Sequence, residues 1–93
     1  MVSKDDSTIF YTYILESENT HGLYIGYTSN LERRLKEHNE SNGKYTSHKG
    51  VWCVIHFKKF DTKTEAISLE RQLKRWKSKK RILEWIEREK QEF

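Results

Sequence analysis

The sequence predicts an α+β fold, a three-stranded antiparallel sheet flanked by helices in the order β-β-α-β-α-α. Three features point to it: short runs rich in aromatic and β-branched residues, two helix starts with the spacing S/T-x-x-E, and a polar turn joining the first two runs. The chain has 93 residues, 34% of them hydrophobic and 34% charged, so it makes one domain with a modest core. The absence of proline and the presence of only four glycines argue against a low-complexity chain.

Residues 1–7 are polar and are expected to form a flexible lead, with a single domain spanning 8–90. Residues 9–15 and 23–27 read as strands, and the turn between them, containing Asn19 and Gly22, makes them a hairpin. Ser29 and Glu32 have capping-box spacing, so a helix is expected to about Glu40, stopping near Asn42-Gly43. Residues 44–50 are a basic, polar loop, and 51–60 alternate loosely as a third strand. Thr62 and Glu65 open a second helix reaching about Lys77, and Ser78 caps a third over roughly 79–90.

Composition narrows the function. Formal net charge is +4, but the distribution says more: Arg71, Lys74, Arg75, Lys77, Lys79, Lys80 and Arg81 follow one another with no acidic residue between them. Such a run suits a polyanion, nucleic acid above all; a solvated helix face is the plainer alternative. The acidic end that follows (Glu84, Glu87, Glu89, Glu92) argues against a membrane surface. No apolar stretch approaches spanning length, and the polar start lacks the apolar region of a signal peptide, so a cytoplasmic location is expected. The single cysteine, Cys53, excludes an internal disulfide and is expected to be a reduced core thiol on a strand.

Three groups of residues carry chemistry. On the first helix, with Leu31 at zero, Leu35 projects at about 40°, His38 at about 340° and Arg34 at about 300°. Arg34 and His38 therefore flank the apolar stripe. A guanidinium fork suits phosphate oxygens and an imidazole handles a proton near neutral pH. Alternatively the arginine snorkels over the core and the histidine is a satisfied core-edge residue. On the second helix Glu70 projects into the arc of Ala66, Leu69, Leu73 and Trp76, where a carboxylate needs neutralising. A Mg²⁺ ion or a partner such as Lys74, four residues on, would do so. Tyr11, Tyr13, Tyr24 and Tyr27 cluster on the hairpin, with Tyr11 and Tyr13 on one face. They offer either cross-strand packing or phenols that handle a proton with help from a cation.

Taken together, Tyr13-Ile14, Tyr24-Ile25-Gly26, the Arg34 and His38 pair and Glu70 resemble the GIY-YIG nuclease superfamily. The run 23–39 (LYIGYTSNLERRLKEHN) and the run 65–74 (EAISLERQLK) carry the likeness, which extends over about residues 10–83. It is similar to the small stand-alone bacterial members and to the amino-terminal nuclease domain of the excision-repair incision subunit. Thr12 stands where the first motif has its glycine, and the polar residue that several members carry after the glutamate helix has no clear match, Lys79 and Lys80 being the candidates to stand in for it.

The resemblance implies a metal-dependent endonuclease acting on nucleic acid, DNA being expected, in repair or recombination. An inactive nucleic-acid-binding module of the same fold is the alternative. The implied catalytic residues are Tyr13, Tyr24, Arg34, His38 and Glu70, with Glu70 binding one Mg²⁺ or Mn²⁺ ion. Tyr13, assisted by Tyr24 or His38, takes a proton from water, and Arg34 neutralises phosphoryl charge. Gly26 is the glycine closing the second motif, where the missing side chain lets backbone approach substrate. Lys44 and Thr46 in the loop, and Lys74, Lys77, Lys79 and Lys80 in the basic run, are the expected nucleic-acid contacts.

Overall fold

The computed structural model describes residues 8–40 and 51–91. Strands β1 (Phe10–Ser17) and β2 (Leu23–Thr28), helix α1 (Leu31–Asn39), strand β3 (Trp52–Phe60) and helices α2 (Lys63–Trp76) and α3 (Lys79–Lys90) follow in the expected order. The sheet order is β2-β1-β3 with both pairings antiparallel, so β1 is central. Among the described residues no helix is long and apolar enough to cross a membrane.

Alternation along β1 sorts the sheet into two faces. Ile14, with Ile25 of β2, packs under Leu73 of α2 and Ile82 and Ile86 of α3, joined by Leu69, Trp76 and Trp85. Tyr13, Leu15 and Trp52 point the other way, towards Leu31 and Leu35 of α1. A bulge interrupts β3: Ile14 pairs with His56 and Leu15 with Val54, leaving Ile55 unmatched. Its consequence is that Ile55 packs on the α2–α3 face while His56, its neighbour, meets Trp85 of α3 on that face too.

Thr12, on the α2 side of β1, is buried and donates its hydroxyl hydrogen to the Ala66 carbonyl at 2.7 Å. The residue standing in place of the first-motif glycine therefore ties α2 to the central strand.

Helices α2 and α3 open on their expected caps, Thr62 accepting from the Glu65 N–H and Ser78 from the Arg81 N–H. Helix α1 does not open on Ser29. Its N-cap is Asn30, whose side chain accepts the Arg33 N–H at 3.0 Å. Strand β2 runs on to Thr28, whose hydroxyl accepts the Asn30 N–H, so the first free turn begins one residue late, and asparagine caps as well as serine. α1 ends at Asn39 with Glu40 as its C-cap, and Asn42-Gly43 lie outside the described residues. Cys53 is not a core thiol. It lies on the edge strand, exposed, with Sγ 3.4 Å from Glu18 Oε2, because the core-facing positions at that end of β3 are Trp52 and Val54. The Glu18 carboxylate, the largest influence, holds its pKa above the ordinary thiol value.

Candidate active site on the α1 face

The site is built around one hydroxyl. Tyr13 projects from the central strand and is only 1% exposed. Its backbone partner across the β1–β2 pairing is Gly26. A Cβ at Gly26 would stand 2.6 Å from the Tyr13 hydroxyl oxygen and 3.2 Å from the Tyr24 ring. The missing side chain is thus taken up by the protein's own phenol, a use the motif alone did not reveal.

Helix α1 delivers two groups to that phenol. Arg34 Nε–H donates to the Tyr13 oxygen at 3.4 Å, and His38 Nε2 lies 3.3 Å from the same oxygen. The spacing of one helical turn between Arg34 and His38 is what lets both reach it. Since the oxygen already accepts from Arg34, the self-consistent arrangement has the phenol O–H donating to an unprotonated His38 Nε2. Tyr24 completes the nest. Its ring runs nearly parallel to Tyr13, at 19° with centroids 6.3 Å apart, and meets the His38 ring edge-on at 4.4 Å. Trp52 closes the far side, 6.1 Å from Tyr24.

Electrostatics follow from this packing. Burial, the largest influence, pushes the Tyr13 pKa up; the Arg34 hydrogen bond pulls it down, and the Tyr24 and Glu70 charges push it up. Burial, and then the Arg34 charge, holds His38 below the ordinary histidine value, so it is neutral at pH 7. Arg34 remains firmly protonated, its pKa raised by the Tyr13 hydrogen bond first and by Glu37 second. Its side chain is 46% exposed, and Nη1 rests 3.2 Å from the Glu37 carboxylate, a surface pair that an incoming anion can displace.

Glu70 stands apart from the nest on α2, yet its charge is among those acting on the Tyr13 phenol. Its side chain is 15% exposed, and Oε2 accepts from Lys74 Nζ at 2.8 Å. Of the two ways the sequence offered to neutralise this carboxylate, the structure shows the ion pair with Lys74. Among the described residues no group of three or more His, Cys, Asp or Glu side chains is arranged to hold a metal ion. A lone half-buried carboxylate that already holds a cation fits Mg²⁺ or Mn²⁺, which bind one or two carboxylates and fill the rest of the shell with water and phosphate.

The basic run divides. Lys79 donates to the His21 carbonyl at 2.6 Å and to Glu16 at 3.3 Å, tying α3 to the hairpin turn. Arg81 stacks over Trp76 at 4.4 Å. Lys77 takes the left-handed position between α2 and α3, with φ 50°. Arg71, Arg75, Lys77 and Lys80 are exposed and make no ion pair among the described residues. Lys44 and Thr46 lie outside the described residues.

Sequence reasoning missed Asn39. Its side chain accepts the Trp52 N–H at 2.7 Å and donates to the Trp52 carbonyl at 3.2 Å, pinning the end of α1 to β3 and so fixing the neighbouring His38. The only signal was an asparagine in the last turn of a helix, which on its own reads as a cap.

Comparison with known proteins agrees with this architecture. The GIY-YIG catalytic domain family matches residues 9–82. A UPF0213 protein of Haloquadratum walsbyi is 40% identical over 72 residues, covering 76% of this chain and 80% of the relative. One from Oceanobacillus iheyensis is 42% identical over 83 residues, covering 85% and 94%. The solution NMR structure of a UPF0213 protein from Bacillus halodurans superposes with a TM-score of 0.55 at 31% identity, over 85% of this chain and 83% of that one. With the match running from Ile9 to Ile82, through the paired tyrosines, the α1 arginine and histidine and the α2 glutamate, the chain belongs to the GIY-YIG nuclease superfamily.

Proposed function

We propose that the protein is a metal-dependent endonuclease that hydrolyses phosphodiester bonds of nucleic acid, DNA first, in repair or recombination. The observation that supports this best is the Tyr13 hydroxyl, held at once by Arg34 and His38. In this reading a backbone phosphate displaces Glu37 from Arg34 and takes the outer nitrogens of the guanidinium as a fork. The Arg34 Nε–H stays on the phenol. Neutral His38 accepts the Tyr13 proton through Nε2, and the phenol oxygen in turn accepts a proton from the attacking water. Burial raises the Tyr13 pKa, so the phenol gives up its proton only because His38 is there to receive it; the two act as a pair. Tyr24 keeps both rings in place by packing against them. Glu70, with waters and a phosphate oxygen, would hold one Mg²⁺ or Mn²⁺ ion, and such an ion when bound supplies positive charge for the departing oxygen. Exposed Arg71, Arg75, Lys77 and Lys80 hold flanking phosphates, so affinity falls steeply with salt.

A second reading, binding without cleavage, is favoured by the deep burial of Tyr13. Labelled single-stranded, duplex and branched DNA, incubated with Mg²⁺, Mn²⁺ or chelator, separates the two. The nuclease reading expects cleavage that needs metal, is lost in Glu70→Gln, and rises with pH through the His38 pKa, which burial holds below the ordinary histidine value. Salt-sensitive binding with no cleavage of any substrate selects the inactive module.

A further inference from the structure

We infer that Lys74 is a resident counter-ion of Glu70, released to a nucleic-acid phosphate when a divalent cation takes the carboxylate. The inference rests on the proposed metal role of Glu70 and goes beyond it by assigning a second, exchangeable cation to the same site.

Three observations lead there. The Glu70 side chain is 15% exposed, and a carboxylate so far withdrawn from water needs a positive partner whether or not metal is present. Lys74 supplies it at 2.8 Å from Oε2, in the favourable order of glutamate one turn before lysine. The lysine itself is 55% exposed, so its ammonium can swing into solvent on its flexible stem at little cost. Arg71 and Arg75 are exposed on the same helix, and a freed Lys74 joins them as a third phosphate contact.

A divalent ion and an ammonium cannot share one carboxylate without repulsion. The lysine therefore weakens metal binding before nucleic acid arrives and strengthens nucleic-acid binding afterwards. The two effects have opposite signs, which a merely structural surface ion pair would not produce.

Mn²⁺ titration followed by electron paramagnetic resonance, without nucleic acid, reads the first effect. Lys74→Gln should bind Mn²⁺ about three- to tenfold more tightly than the parent, from removing one ion pair and one like charge. Glu70→Gln should lose that site. Lys63→Gln, which removes one charge from the same helix away from Glu70, should match the parent. Fluorescence anisotropy with a cleavage-resistant phosphorothioate duplex reads the second effect. Lys74→Gln should bind it about two- to fivefold more weakly than the parent with Mn²⁺ present. With chelator the charge-matched control is Glu70→Gln/Lys74→Gln, which removes both members of the neutral pair and should match the parent.

Unchanged or weaker Mn²⁺ binding by Lys74→Gln, with the site still lost in Glu70→Gln, overturns the counter-ion role alone. A loss of duplex affinity by Glu70→Gln/Lys74→Gln with chelator as large as that of Lys74→Gln with Mn²⁺ does the same. Parent-like Mn²⁺ binding by Glu70→Gln overturns the metal role of Glu70 together with the inference built on it. Circular dichroism of each variant confirms that it is folded.

Discussion

The two faces of the sheet are built to different ends. On one, α2 and α3 bury Ile14, Ile25, Leu73, Ile82 and Ile86 in an apolar core with Trp76 and Trp85 against it. On the other, α1 is a nine-residue helix with no fully buried side chain, and it covers a nest of Tyr13, Tyr24, His38 and Trp52. The first face is apolar at its centre, while the second combines an apolar base of Leu15, Leu31 and Leu35 with polar groups in fixed relation to one another. The difference shows how a chain of 93 residues finds room for a site: each face has buried residues, but on the α1 side two of the three, Tyr13 and Trp52, also carry hydrogen-bonding groups.

Truncation on each face tests this division, beginning with the largest effect. Leu73→Ala empties a fully buried position of the α2–α3 core and should cost about 2–5 kcal/mol in urea unfolding. At temperatures where it stays folded, the cleavage expected under the proposed function should match the parent. Gly26→Ala acts on the other face. Its Cβ meets the Tyr13 oxygen at 2.6 Å, so the phenol is pushed off Arg34 and His38. Overpacking of this kind costs about 1–3 kcal/mol, and activity should fall far more than stability does. A variant that loses both in proportion would erase the distinction between the faces.

Histidines sharpen the comparison, since among the described residues each face carries one, His38 and His56. His56 packs edge-on against Trp85 at 5.4 Å, with Nε2 3.9 Å from Glu89. Burial lowers its pKa, Glu89 opposes that, and Lys90 and Lys58 add to it. The unfolded chain then binds the proton more readily than the folded one. The neutral histidine's stability is present above the unfolded pKa, about 6.5, and is lost as pH falls below it. His38 contributes with the same sign. In thermal melts from pH 5 to 7, His56→Phe should flatten part of this slope and His38→Gln a separate part, with only the latter changing catalysis.

The smallest effect lies at the corner between α2 and α3. Lys77 sits at φ 50°, where glycine is the ordinary helix terminator. Lys77→Gly should raise unfolding stability by about 0.5–1 kcal/mol, and it should weaken duplex binding slightly by removing one exposed charge. A loss of stability would mean that the lysine stem packs usefully there.

Much of the fold is legible in the sequence because its signals are local. Thr62 and Ser78 mark the helix starts they cap, and α3 runs over the expected 79–90. The period of α1 placed Arg34 and His38 together, and the structure brings both to one oxygen. What sequence reasoning missed depends on contacts far apart in the chain. Nothing near Lys79 announces that it binds the hairpin turn 58 residues earlier. Nothing near Asn39 announces the Trp52 backbone, and nothing near Cys53 says that its side of an edge strand faces Glu18. The shift from Ser29 to Asn30 has a different cause: two good caps stood side by side, and the length of β2 chose between them.

The central claim is that the α1 face is a phosphodiester-cleaving site organised by the Tyr13 hydroxyl and Arg34. The most direct measurement is the single-turnover cleavage rate of Arg34→Ala beside its unfolding free energy. The arginine side chain is 46% exposed and its partners are polar, so stability should move by less than about 1 kcal/mol, while the rate falls about 100-fold or more. A folded Arg34→Ala protein that cleaves at the parent rate would contradict the account.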